Sequence, residues 1–210
     1  MTRTGSIEVI CGPMFSGKTE ELIRRLRRAQ IARQQVLVYK PLIDDRYDKT
    51  DVVSHSSQRI PSQPVENVAQ LKAHLEQEGL PDVIGIDEAQ FFDESLCDVV
   101  ERLADRGVRV VAAGLDLDYM GVPFGPIPRM LAMAEEVLKQ SAVCMVCGVP
   151  ATRSQRVSRQ QLGLPGLGAE PTGPGDEQVL VGAEDSYEAR CRRCWVRGID
   201  VPSTSFVDHG

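Results

Sequence analysis

No hydrophobic run in this 210-residue chain approaches the roughly twenty residues of a membrane span, and Met1-Thr-Arg-Thr lacks the apolar segment of a secretory signal. Neither a span nor export is expected, which leaves a soluble protein with a cytoplasmic location. The chain also lacks a positive excess: 24 Lys and Arg stand against 30 Asp and Glu, a net charge of −6. Broad nucleic-acid binding needs many phosphates neutralised by Lys and Arg, so neither nucleic acid nor a membrane is expected as partner. Small anions held locally fit better. The three histidines, His55, His74 and His209, form no constellation, and no internal repeat recurs. The single basic concentration is Arg24, Arg25, Arg27 and Arg28, set among Leu22, Ile23, Leu26 and Ala29 at helical spacing; it reads as a solvated helix face, with a partner surface as the alternative.

What is present is an alternation. Ile7 to Cys11, Val36 to Tyr39, Val83 to Ile86 and Val108 to Ala113 read as buried strands, separated by helical patterns at 18–33, 65–78 and 94–106, with Gly107 as a stop. This pattern predicts an α/β fold with a parallel sheet flanked by helices. A further helix is predicted over 130–139. From Ser141 onward cysteine pairs and the Gly/Pro-rich tract 163–175 replace the periodicity, and such a tract cannot supply a core of its own. The expected division is therefore a nucleotide-binding domain at 1–140, a small module at 141–200 and a loose tail at 201–210.

Gly12, Pro13, Met14, Phe15, Ser16, Gly17, Lys18 and Thr19 lie between the first strand and the first helix, the context of a phosphate-binding P-loop. The glycines let successive backbone N–H groups turn toward phosphate, and the helix aims its positive end at the same point. Lys18 suits the β- and γ-phosphates, and the Thr19 hydroxyl suits Mg²⁺. The strand at 83–86 ends in Asp87 and Glu88, where ligands bind an open α/β sheet. Asp87 is the natural second holder of Mg²⁺. Glu88 is the candidate base, taking a proton from a substrate hydroxyl, as in a kinase, or from water, as in an ATPase. Arg46, in the loop after the second strand, suits either a transferring phosphoryl group or a surface ion pair with Asp44 or Asp45.

Of the six cysteines, Cys11 and Cys97 read as buried small hydrophobes. Cys144, Cys147, Cys191 and Cys194 form two C-x₂-C pairs, the donor set of a closed structural zinc site. A redox pair or idle thiols are the alternatives. Four protein ligands leave no position open for water, so the ion would pin a loop rather than catalyse.

In their order and spacing, Gly12 to Thr19, Lys40 to Tyr47, Ile86 to Phe92, Gly114-Leu-Asp116, Pro123-Phe-Gly125 and the paired cysteines resemble thymidine kinases of the zinc-containing, cytosolic type. The resemblance implies a P-loop, RecA-like core with a zinc-binding lasso over the nucleoside, and transfer of the ATP γ-phosphoryl group to the thymidine 5′-hydroxyl with Mg²⁺. It further implies a homotetramer and feedback inhibition by dTTP. By position it makes Glu88 the base, gives Thr19 and Asp87 to Mg²⁺, and gives Lys18 and Arg46 to phosphate. It sets Met14, Phe91, Leu115, Tyr119 and Phe124 around the nucleoside, with Ser154, Leu180 and Tyr187 on the lasso side. On residue type alone Phe91, Phe92 and Phe124 would be core.

Three departures from the family pattern follow. The tract between the cysteine pairs, including 157–178, is long. Ser154 stands where Thr is usual, which removes a methyl from the thymine side. Val181-Gly182-Ala183 replaces a more usual Gly-Gly, and an Ala at a position needing positive φ would be strained. The rival readings are a nucleic-acid-stimulated ATPase of recombinase type and a non-catalytic nucleotide sensor whose zinc module docks a partner.

Overall fold

The structure is a computed structural model that describes residues 4–42, 51–53, 59–158, 187–198 and 201–202. Arg46, Leu180, the 181–183 segment and most of 157–178 lie outside the described residues.

In chain order the elements are β1 (Ser6–Cys11), α1 (Lys18–Ile31), β2 (Val36–Pro41), β3 (Asp51–Val53), β4 (Arg59–Pro61), β5 (Gln63–Val65), α2 (Val68–Glu78) and β6 (Val83–Ile86). A 3₁₀ turn at Ala89–Phe91 leads to α3 (Ser95–Asp105), β7 (Arg109–Gly114), α4 (Ile127–Met133) and β8 (Glu136–Lys139). Six strands form one sheet in the order β5-β2-β6-β7-β1-β8, with every neighbouring pair parallel. β3 and β4 form a separate antiparallel pair.

Side chains alternate across the sheet, and the alternation sorts them into two layers. Ile7, Val9, Cys11, Ile84, Ile86, Val110 and Ala112 pack with α2, α3 and α4. Ile10, Val38, Val83, Val111 and Ala113 pack with Leu22, Ile23, Leu26 and Ala29 of α1. Gly85 lets α1 come close: a Cβ there would stand 2.4 Å from Leu26 Cδ1. Cys11 and Cys97 are buried in the core, as their sequence context predicts. Gly107 (φ 86) closes α3, its N–H bonding Ala104 O at 2.9 Å.

The sequence predicts a helix over 130–139, and the structure divides it. Helix α4 stops at Met133, and Glu136–Lys139 becomes edge strand β8 beside β1. The free edge of β1 is the cause: Glu135 N–H bonds Ile7 O at 3.0 Å, and the Glu135 carboxylate takes the Ile7 N–H at 2.6 Å. An unpaired ladder outweighs a weak helical pattern.

The predicted solvated arginine face is also corrected at one residue. Arg24, Arg27 and Arg28 are exposed, whereas Arg25 is buried and bonded to Glu8, Glu21 and Glu136 at 2.6–2.8 Å. Glu8 points from β1 toward the α1 layer, and a buried carboxylate requires a cationic partner.

Beyond residue 140 the chain leaves the large sheet. β9 (Ala142–Val143) pairs antiparallel with β10 (Pro150–Ala151), and β11 (Arg153–Ser158) pairs antiparallel with β12 (Tyr187–Arg190) and parallel with β13 (Val201–Pro202).

Candidate active site and metal centre

Register brings the chemistry to one edge. Cys11 pairs with Gly114 and Ile86 with Ala112, so the loops after β1, β6 and β7 leave the sheet at the same level. The P-loop residues adopt the expected curl. Gly12 has φ 146 with no room for a side chain, since a Cβ would stand 2.5 Å from Gln140 O. Phe15 (φ 65) and Gly17 (φ 82) are left-handed, and α1 begins at Lys18 without a side-chain cap. The first N–H groups of α1 are thus left available to an anion.

Lys18 is buried and its Nζ donates to Pro13 O at 2.8 Å. Burial lowers its pKa, while the carboxylates of Glu88, Asp87 and Asp116 pull the other way. The Thr19 hydroxyl lies 3.3 and 3.4 Å from the two Asp87 oxygens, so loop and strand end converge on one point. Burial, reinforced by Glu88, pushes the Asp87 carboxyl up to about 7 against the pull of Lys18 and Thr19. A cation between Thr19 and Asp87 would relieve that crowding, and hydroxyl plus carboxylate is a donor set that suits Mg²⁺.

Glu88 adopts a left-handed backbone (φ 49, ψ 40) at the start of the 3₁₀ turn. Its Oε2 accepts a hydrogen bond from Gln90 Nε2 at 2.5 Å. Nearby, Phe91 and Phe124 meet edge to face with centroids 5.5 Å apart. Leu115 and Phe124 are buried, and Phe91 remains half-buried. Met14 N–H donates to Ser154 Oγ at 3.0 Å, joining the P-loop to β11. The Arg156 guanidinium sits 4.2 Å from the centroid of the Tyr119 ring. Tyr187 is buried and paired in register with Arg156. The structure thus brings Lys18, Thr19, Asp87 and Glu88 together where β1 and β6 end, sets Phe91 against Phe124, and joins Ser154 to Met14; Tyr119 and Tyr187 are linked to each other through Arg156. Phe92, by contrast, belongs to the core, as its residue type alone predicts.

Three residues of this edge escape sequence reasoning. Gln90 bridges Glu88 and Leu115; Asp116, buried, meets Lys139 Nζ at 2.5 Å. Gln90 and Asp116 fall inside the stretches Ile86 to Phe92 and Gly114 to Asp116, but nothing local in the sequence joins either to its partner.

The sulfurs of Cys144, Cys147, Cys191 and Cys194 all lie within 4.8 Å of one another. Cys147 Sγ is 3.7 Å from Cys191 Sγ and 3.6 Å from Cys194 Sγ. A tetrahedral zinc with Zn–S bonds of about 2.3 Å separates its sulfurs by about 3.8 Å, so the donor set fits. Burial raises the Cys144 thiol, but backbone hydrogen bonds from Cys191, Val146 and Cys147 outweigh it and hold the pKa at about 6. Hydrogen bonding to Cys147 and Cys191 pushes Cys194 up to about 12. Four thiolates so close together would repel one another, and a dication would resolve that conflict.

Residues 5–195 match the thymidine kinase family. The chain belongs to that family. Membership implies a nucleoside kinase with thymidine and ATP as substrates, and the four-cysteine cluster is consistent with the family's zinc-containing type. Among solved structures, the chain is similar to the flagellar accessory protein FlaH from Methanocaldococcus jannaschii, with 14% identity over 70% of this chain and 76% of that one and a TM-score of 0.47. It is also similar to the Legionella pneumophila ATPase DotB, with 18% identity over 71% of this chain and 44% of that one and a TM-score of 0.43. Neither likeness bears on substrate or reaction. No helix among the described residues is long and apolar enough to cross a membrane.

Proposed function

We propose that the protein transfers the γ-phosphoryl group of ATP to the 5′-hydroxyl of thymidine, giving dTMP and ADP in DNA precursor salvage in the cytoplasm. The observation that carries this reading is the placing of Glu88. It stands beside the Thr19–Asp87 pair and two residues from the bond that ties the turn to Leu115, next to the Phe91–Phe124 pair. A base between a phosphate cradle and apolar walls suits a nucleoside hydroxyl better than bulk water.

In this reading Gly12 to Gly17 and Lys18 hold the triphosphate, joined by Arg46. Thr19 and Asp87 would hold Mg²⁺, which would neutralise charge on the β- and γ-phosphates. Met14, Phe91, Leu115, Tyr119 and Phe124 line the thymidine, and Ser154, Leu180 and Tyr187 close it from the lasso. Glu88 orients the 5′-hydroxyl and takes its proton, so positioning and charge neutralisation carry most of the catalysis. The cysteine cluster would hold zinc as a staple on the lasso module, residues 141–200, which we treat as a unit apart from the nucleotide-binding domain at 1–140. Feedback inhibition by dTTP and a homotetramer complete the proposal, with deoxyuridine as a poorer acceptor.

The test is incubation of purified protein with Mg²⁺, ATP and a panel of nucleosides, with identification of the phosphorylated product. Thymidine should be converted to its 5′-monophosphate. Glu88→Gln should lower kcat by about 10²- to 10⁴-fold while ATP binding persists. ATP hydrolysis without any nucleoside acceptor, or near-normal turnover by Glu88→Gln, would remove the assignment.

A further inference from the structure

Gln90 is only 2% exposed, and both ends of its side chain are engaged. Nε2 donates to Glu88 Oε2 at 2.5 Å, and Oε1 accepts the Leu115 N–H at 3.0 Å. The two partners fix the amide orientation, because a carboxylate can only accept and a backbone N–H can only donate. Room for the bridge comes from two glycines. A Cβ at Gly114 would stand 2.7 Å from Gln90 Oε1, and one at Gly125 would stand 2.2 Å from Gln90 O.

We propose that Gln90 is a positioning residue for phosphoryl transfer, its side-chain amide tying the Glu88 carboxylate to the backbone at the end of β7. This rests on the reading of Glu88 as the base. A glutamate has three rotatable side-chain bonds, and Glu88 also carries a left-handed backbone that persists only where its surroundings impose it. The Gln90 bond restricts one carboxylate oxygen and leaves Oε1 to meet a hydroxyl. Its other end lies on Leu115, a proposed wall of the nucleoside, so base and wall share one rigid link. Misplacing a catalytic group by about 1 Å can cost 10²-fold in rate.

The test uses the full-length, zinc-loaded protein and a double-mutant cycle. Gln90→Met keeps the length and removes both hydrogen bonds. Gln90→Glu keeps the shape and the Leu115 bond but replaces the donor with a carboxylate facing Glu88. Each should lower kcat about 10- to 100-fold with KM for ATP and thymidine changed less than about threefold. In a Glu88→Gln background neither should cost anything further, because the group being positioned is already disabled. Additive losses, or kcat within twofold of the parent in both single variants, would overturn the positioning role while leaving the base intact. If Glu88→Gln alone retained full turnover, the base assignment itself would fall. Should Gln90→Met not fold, the Gln90→Glu arm decides alone.

Discussion

Ser154 shows how much one hydroxyl can carry. It is buried, sits on β11, and accepts the Met14 N–H of the P-loop across 140 positions of chain. Its departure from the family's usual Thr is visible in the sequence, but the bond is not, because nothing local in the sequence links positions so far apart. Ser154→Ala should orphan a half-buried N–H and lower stability by about 1–3 kcal/mol, read as a fall in Tm. Ser154→Thr should keep the bond and restore a methyl on the thymine side. Its expected effect is a rise in the preference for thymidine over deoxyuridine, roughly 5- to 150-fold if the methyl contributes about 1–3 kcal/mol. The ratio of kcat/KM for the two nucleosides measures it, and an unchanged ratio would place Ser154 outside the base pocket.

Helix α1 begins without a side-chain cap and grips β1 farther along through Arg25. Hydrogen bonds from Arg24, assisted by Arg25, hold the Glu21 carboxyl down at about 2 from its ordinary 4.5, against burial. Glu8 is depressed too, with Arg109 and Arg25 overcoming its burial. A folded-state pKa below the unfolded value means stability present above pH 4.5 and lost as pH falls toward 2. Urea unfolding across that window should show the midpoint dropping, and Glu21→Gln should flatten part of the drop. Four strands of the sheet, β1, β2, β6 and β7, and the first three helices were legible because apolar periodicity encodes them locally, and the curl of 12–17 because a short motif does; β5 and the short strands after residue 140 were not. Arg25 and β8 were not, since their partners, Glu8 and the open edge of β1, come from distant sequence. Asp87 and Glu88 were legible from their place at a strand end, whereas the Gln90 bridge needed the 3₁₀ turn to become visible.

For the molecule as a whole, the segment after residue 140 meets the P-loop side of the sheet through β11, beside the cysteine cluster. Met14–Ser154 and Arg156–Tyr119 both cross from β11 to the P-loop body. Structural zinc in small modules contributes apparent binding free energies on the order of 10–16 kcal/mol, enough to hold the strands around the cysteines together. Removing the metal with a chelator, or Cys191→Ser, should therefore speed amide exchange in β11 and β12 and raise KM for the nucleoside more than KM for ATP. Exchange and metal content that stay as in the parent would argue that the staple is not zinc-dependent.

Trp195 follows the last ligand of that cluster, with its ring against Gly121, where a Cβ would stand 2.7 Å from a ring carbon, and with Arg153 5.9 Å from its centroid. It is the chain's one tryptophan. The protein's indole emission therefore comes from a single side chain, set between the cysteine cluster and Gly121. A red shift of its emission, with quenching by added iodide, would report in real time whenever that contact parts.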